Sequence, residues 1–274
     1  MEYPKFSVLM SLYIKEKAEY FDECMKSMLN QTVLPTEIVI VFDGPVTDEL
    51  RNVVEKYQKK KDNWIRTIEN EENKGLGPAL ADGVPECKYE LIARMDTDDI
   101  AFPNRFERQL KMFMKNSRLD ICGSHIIEFE GNIGNVLAKR DVPIKHKDIV
   151  KYQRQRSAFN HVTVMFKKSA VLKAGNYEDC PLMEDDMMWT RMIMSGAKCA
   201  NIDDYLVWVR TGTAMIERRG GWGYFKKYRD GRKKILATGF ISKWDYYKTV
   251  GGQLVVAMVP TKVRLFLFTK FLRK

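Results

Sequence analysis

A chain of 274 residues, 45% of them hydrophobic and 11% aromatic, can bury a sizeable core as one large domain or as a domain with an extension. Five scattered cysteines (Cys24, Cys87, Cys122, Cys180, Cys199), never in a C-x-x-C pair, and three distant histidines argue against zinc and a disulfide framework and fit reduced thiols in a cytoplasm. The net charge of +10 is lopsided: residues 222–274 hold thirteen Lys/Arg against Asp230 and Asp245, a balance of +11 that leaves −1 on the rest and gives the tail alone an attraction to anionic surfaces.

In chain order, residues 6–13 form a compact apolar run, read as a first central strand. Over 18–30, Phe21, Cys24, Met25, Met28 and Leu29 recur at helical spacing, and Gln31-Thr32 and Pro35 end the helix. The β-branched run 37–42 is a second strand that stops at the turn signal Asp43-Gly44-Pro45. A polar helix follows to about residue 60, where Lys59-Lys60-Lys61 reads as its solvated end, and 64–68 suits a short third strand. Asn73-Lys-Gly75-Leu-Gly77-Pro opens another helix. It is no dinucleotide fingerprint, because Leu80 stands at the third glycine position and two βα units precede it, but its backbone amides can face a phosphate or ribose.

The apolar triplet Leu91-Ile92-Ala93 leads into Arg94-Met95-Asp96-Thr97-Asp98-Asp99. This places an Asp-x-Asp at the end of a buried strand, where ligands of α/β sheets sit. If the chain stays extended there, Asp96 and Asp98 point the same way and suit a hard divalent cation carrying phosphate oxygens. Taken alone, the same pattern reads as an acidic surface turn.

An amphipathic helix is expected over 103–114, with Phe102, Phe106, Leu110 and Phe113 on its core face. Strands are expected over 119–129 and 162–166, while 133–160 shows weak periodicity. A second acidic cluster, Glu184-Asp185-Asp186, opens a helix that Gly196 ends, and residues 206–210 close on Arg210 with strand character. Acids in a first helical turn also have a plain reading, as partners of the helix dipole.

Taken together in order, these elements resemble the family-2 glycosyltransferases of GT-A fold. The resemblance rests on Ser11 and Tyr13 at the first strand, Ser27-x-x-x-Gln31-Thr32, the 38–44 run ending in Asp43-Gly44, Asn73-x-Gly75, Arg94-x-Asp96-x-Asp98-Asp99, Pro103-x-Arg105-Phe106, Glu184-Asp185-x-x-x-Trp189-x-Arg191, and Arg210. It spans roughly residues 5–212, and the nearest likeness is to bacterial enzymes that build capsule, O-antigen or exopolysaccharide repeat units.

The resemblance implies an α/β, Rossmann-like, mostly parallel central sheet flanked by helices over about 1–215, with a donor-binding part to about 100 and an acceptor-binding part from about 101. It implies an inverting, metal-dependent hexosyl transfer that uses Mn2+ or Mg2+ and a nucleotide-sugar donor, UDP-linked by family frequency. Asp43 would then bond the base, with Ser11 and Tyr13 lining that pocket and Asn73 and Gly75 near the nucleoside. Asp96 would bind ribose or metal, Asp98 the cation, and Arg94 the diphosphate, unless Arg94 is an ordinary surface arginine or an ion-pair partner of Asp96. Asp185 would be the catalytic base and Glu184 would help position the acceptor; His161 would touch acceptor or diphosphate, or be structural. Trp189 is read as helix core. Met187 stands where a further acid is frequent, and Asp186 where an aromatic is, so the acceptor side departs from the pattern.

Residues 216–274 read as a basic, aromatic helical extension. Residues 263–274, if helical, gather Leu265, Phe268, Phe271 and Leu272 on one side with Lys262, Lys270 and Arg273 opposite. That suits an anionic membrane surface and an acceptor on polyprenyl diphosphate, and equally a basic cap on the catalytic domain; self-association through the aromatics is open. Nucleic acid is not expected as a partner. The absence of a long N-terminal apolar segment or of an 18-residue span gives the expectation of a cytoplasmic protein peripheral on the inner membrane face. Rival readings are a polyprenyl-phosphate sugar transferase, a sugar-1-phosphate nucleotidyltransferase, which would want a glycine- and arginine-rich loop where Tyr13-Ile-Lys-Glu-Lys stands, and a non-catalytic membrane or nucleic-acid binder.

Overall fold

Strand β1 (Phe6–Leu12) sends Phe6, Val8, Met10 and Leu12 into one hydrophobic core and Leu9 into another. β2 (Glu37–Phe42) divides Ile38, Ile40 and Phe42 from Val39 and Val41 in the same way. This is the two-residue period of a strand with both faces covered, and it explains why these segments are continuously apolar. The computed structural model describes residues 2–61, 63–212 and 220–260. With β3 (Ile65–Glu69) and β4 (Leu91–Arg94), the first half forms a parallel set in the order β3-β2-β1-β4. Helices α1 (Ala18–Leu29) and α2 (Asp48–Gln58) cover the first face, and α3 (Leu76–Glu86) the second.

Beyond β4 the sheet continues through β5 (Ile100–Ala101), α4 (Arg105–Lys115), β6 (Ile121–Phe129), β7 (Val136–Arg140), α5 (His146–Gln153), β8 (Met165–Lys167), α6 (Lys168–Lys173), α7 (Glu184–Met194) and β9 (Cys199–Arg210). Its path is β4-β8-β6-β9-β5, with β7 on the flank of β6. The parallel character of the first half returns at β6/β9, while β8 runs antiparallel to both β4 and β6 and so joins the two halves.

Two sequence expectations are corrected in this region. Residues 161–163 form a 3-10 turn, not the start of a strand, because Thr163 folds back on Asn160 through both its backbone N–H and its hydroxyl (2.8 Å each). Phe102 lies ahead of α4, not on its core face, and stacks on Trp208 at 5.1 Å; buried Arg105 and Gln109 join Phe106, Leu110 and Phe113 on that face.

After β9 come two helices, α8 (Gly221–Ala237) and α9 (Lys243–Met258), which packs along α8. A small core of Cys180, Met183, Met187, Ile235 and Ile241 ties them to α7. Gly231 makes the fit possible: a Cβ there would lie 2.8 Å from the Met183 sulfur and 3.1 Å from its Cβ. Arg232, fully buried, donates to the Arg154 carbonyl (2.7 Å), and Arg154 in turn pairs with Asp245 at 3.0 Å. The amphipathic segment expected at 263–274 lies outside the described residues, and none of the described helices is long and apolar enough to cross a membrane.

Candidate functional site

The strand that carries Arg94 ends there, and residues 97–98 form a turn. Asp96 and Asp98 therefore do not share a strand face as an extended chain would require; the turn brings them together instead. Burial and then the Asp96 charge push the Asp98 carboxyl up to about 6, so the two carboxylates lie within each other's field. Asp99 beneath them is buried, with its pKa driven well up by burial and by Asp98 and Asp96.

Arg210, at the end of β9, clamps this turn. Its N–H donates to Asp99 (2.7 Å), its Nε to the Asp98 carbonyl (3.0 Å) and its Nη1 to the Gly131 carbonyl (2.6 Å); Nη2 pairs with Glu23. The guanidinium lies between the rings of Tyr20 (3.9 Å) and Phe129 (4.6 Å). Arg105 supports the strand end from below, with Nη2 donating to the Arg94 carbonyl at 2.6 Å.

Arg94 is buried and forms an ion pair with Asp96, one of the two uses its position suggested. Its Nε and Nη1 have no partner among the described residues. A buried guanidinium with two free donors is costly unless an acceptor arrives, and a diphosphate is such an acceptor.

On the other side of β1, the Asp43 N–H donates to the Leu12 carbonyl (2.8 Å), which sets the Asp43-Gly44 turn beside Ser11 and Tyr13. Both oxygens of the buried Asp43 carboxylate are in use, accepting from the Lys74 N–H (2.7 Å) and the Gly75 N–H (3.0 Å). Asn73 Nδ2 donates to the Asp43 carbonyl at 3.2 Å. Asp43 thus organises the loop at the start of α3, and each of its oxygens keeps a further lone pair.

The loop also brings α3 against α7. Gly77 sits where a Cβ would meet the Glu178 carbonyl oxygen at 2.5 Å and the Glu184 Cβ at 3.1 Å. Only a glycine allows this approach.

The first turn of α7 holds Glu184, Asp185 and Asp186. Asp185 is half-buried; burial, then Asp186 and Glu184, push it up to about 8, and its Oδ1 accepts the Asp186 N–H at 2.8 Å. Asp186 is the structural member: it accepts from Gln153 Nε2 (2.9 Å) and lies within the field of Arg232. Glu184 is raised by burial, lowered by Arg94 and raised again by Asp96. The two acidic clusters, some ninety residues apart in the chain, therefore lie within each other's electrostatic reach.

His161 and Tyr177 form a pair near Arg94. His161 Nε2 and the Tyr177 hydroxyl are 3.0 Å apart, and burial with the nearby Arg94 charge keeps the imidazole neutral by lowering its pKa. Tyr177 senses Arg94, Asp185, Glu184 and Asp96 together. Sequence reading missed it because it sits in an irregular segment with no periodicity around it. Trp189 is fully buried against His161, Phe159 and Tyr177, a core residue as expected. Arg191 likewise bonds Glu178 and the Asn176 carbonyl and holds the loop before α7.

Asp96 and Asp98 are the two carboxylates of this turn that could hold a hard cation, which oxygen donors suit. Among the described residues no group of three or more His, Cys, Asp or Glu forms a cage, so phosphate oxygens and water would complete the shell.

Residues 7–179 match the family model described as glycosyl transferase family 2. The chain is 38% identical over 268 residues to the amylovoran biosynthesis glycosyltransferase AmsE of Erwinia amylovora, covering 97% of this chain and 98% of that one. It is 35% identical over 271 residues to the UDP-Gal:alpha-D-GlcNAc-diphosphoundecaprenol beta-1,3-galactosyltransferase of Escherichia coli, covering 99% and 98% respectively. Among solved structures, the mannosyltransferase PcManGT of Pyrobaculum calidifontis, in complex with GDP-Man and Mn2+, superposes with a TM-score of 0.62 at 15% identity over 96% of this chain and 72% of that one, a likeness of GT-A fold.

Proposed function

The chain belongs to glycosyltransferase family 2, and from that premise we propose that it transfers a hexose or N-acetylhexosamine from a UDP-sugar, with inversion, to a saccharide carried on polyprenyl diphosphate during surface polysaccharide assembly. What supports it is that Gly77, two residues after the Gly75 amide that bonds Asp43, packs directly against the Glu184 side chain beside Asp185, while buried Arg94 pairs with Asp96. A site with a proton acceptor on one side and an anion-binding group on the other is what such a displacement needs.

In this reading Ser11, Tyr13, Asp43, Asn73 and Gly75 bind the nucleoside. Asp98, with Asp96, would hold Mn2+ or Mg2+, and such an ion would supply charge neutralisation for the diphosphate leaving group. Arg94 donates its two unpartnered nitrogens to the same group. Asp185 takes the proton of the acceptor hydroxyl as that oxygen attacks the anomeric carbon from the face opposite the diphosphate. Glu184 orients the acceptor, and neutral His161, held by Tyr177, contacts acceptor or diphosphate. The donor half lies within about residues 1–100, the acceptor half within about 101–215, and residues 216–274 form the extension. The enzyme works at the cytoplasmic face of the membrane, to which its basic tail draws it.

The test is thermal stabilisation by UDP-, GDP- and dTDP-sugars with and without Mn2+, wild type beside Asp98→Ala. A ligand of the native state raises the melting temperature. Metal-dependent stabilisation by UDP-sugars that is lost in the variant supports the reading; no shift with any donor at saturation overturns it.

A further inference from the structure

Helix α9 is fixed in its orientation. Ser242 and Asp245 form a reciprocal capping box at its start, Asp245 is buried against Arg154, and Ala257 is buried near its end. The opposite face is apolar and uncovered among the described residues: Trp244 is 75% exposed, Tyr247 66%, Val255 61% and Met258 64%, with Leu254 at their edge. At about 100° per residue these five fall within one arc of about 100°, and Lys243 and Lys248, both exposed, fall on its two borders. Residues 220–260 carry eight Lys/Arg against two acids.

We propose that this face of α9 is a docking surface for an anionic lipid bilayer, lying in the plane of the interface. The composition fits that occupant: Trp and Tyr prefer the headgroup level, the aliphatic side chains enter the acyl boundary, and flanking lysines reach phosphates. A second copy of the chain fits poorly, since pairing would bring two strongly basic surfaces together.

The placement bears on the site. α9 packs on α8, and α8 receives Met183, the residue before Glu184 and Asp185, against Gly231. A bilayer beneath α9 thus lies about two helix layers, on the order of 20 Å, from the acid turn of α7. The biological sense of this surface rests on the lipid-linked acceptor proposed above; its test does not.

The full chain is sedimented with vesicles of phosphatidylglycerol and phosphatidylethanolamine, and separately with pure phosphatidylcholine, at about 0.1 M salt. Wild type is expected on the anionic vesicles only, and the double variant Trp244→Glu/Val255→Glu is expected to partition at least tenfold less, with melting temperature and UDP-sugar stabilisation unchanged. Should the glutamates lower the melting temperature, Trp244→Ser/Val255→Ser carries the same comparison. Undiminished binding by the variants overturns the proposal, as does failure of wild type to bind. So does binding lost only on removal of residues 261–274, which assigns the lipid contact to that segment. A wild-type dimer that the variant renders monomeric overturns it in favour of a second copy. Retained UDP-sugar stabilisation without vesicle binding sinks the docking surface and leaves the glycosyltransferase reading intact; the reverse pattern does the opposite.

Discussion

The N–H of Arg210 donates to the carboxylate of Asp99 at 2.7 Å, so the last residue of β9 is pinned to the turn that presents Asp96 and Asp98. The same arginine's side chain holds the Asp98 carbonyl and the Gly131 carbonyl. The geometry of the acidic turn therefore depends on a residue more than a hundred positions away. Replacing Arg210 by alanine is expected to weaken UDP-sugar binding at least tenfold and to lower stability by about 1–3 kcal/mol, as lost hydrogen bonds to charged groups do. Lysine should fail to restore either, because it lacks the planar fork that reaches several carbonyls at once. Donor titration and thermal melts on the two variants check this.

Asp185→Asn should reduce kcat by about 10²–10⁴-fold with little change in donor KM, the range expected for loss of a general base. The same change should stabilise the fold. Asp185 is raised to about 8 in the native state, above the roughly 3.9 of an unfolded aspartate. Between those values the native protein holds the extra proton, so this group's contribution to stability is present at low pH and lost as pH rises through the window. Melting curves should show the variant above wild type at pH 8 and level with it near pH 4.

The pH profile of transfer follows from the same shift. Below about 8 the Asp185 carboxyl is protonated and cannot accept a proton, so kcat should fall towards tenfold per unit as pH drops. Asp186 is among the charges that raise it. Asp186→Asn should therefore move the acidic limb to lower pH, a displacement that a purely structural effect on kcat would not give.

Gly77→Ala forces a Cβ to within 2.5 Å of the Glu178 carbonyl oxygen, a backbone atom that cannot rotate away. Overpacking of this kind costs about 1–3 kcal/mol. Because α3 and α7 must separate, transfer should suffer beyond the loss of stability: at a temperature where the variant is fully folded, kcat is expected to remain at least fivefold reduced. Restoration of full kcat under those conditions would show that the two helices can part without harm to the site.

The buried strands and amphipathic helices of the first half were legible because each residue had a clear periodic place: β1 and β2 alternate between two cores, and α1 buries Phe21, Cys24, Met25 and Met28 at helical spacing. Residues 133–160 resisted because β7 is largely exposed and α5 buries only Ile149 and Gln153, so neither writes a hydrophobic pattern. The candidate site residues were named by motif, and their relations to one another were not legible there. That both Asp43 oxygens accept from the loop amides, that Arg94 pairs with Asp96 yet has two nitrogens without a partner among the described residues, and that Tyr177 lies in the field of both acidic clusters are facts of long-range packing. The turn at residues 97–98 shows the limit in small: an extended strand was the expected geometry for Asp96 and Asp98, and the chain turns there instead.

The seating of Met183 on Gly231, with Arg232 beside Asp186, sets a limit on how the protein can be shortened. A chain cut after β9 would expose Cys180, Met183 and Met187 to water and strip the buried Asp186 of the Arg232 charge that favours its ionised form. Such a fragment would keep the whole sheet and every acidic residue of the site, yet would be sticky and carry a loosened α7. Trimming for crystallisation or soluble expression should stop short of α8.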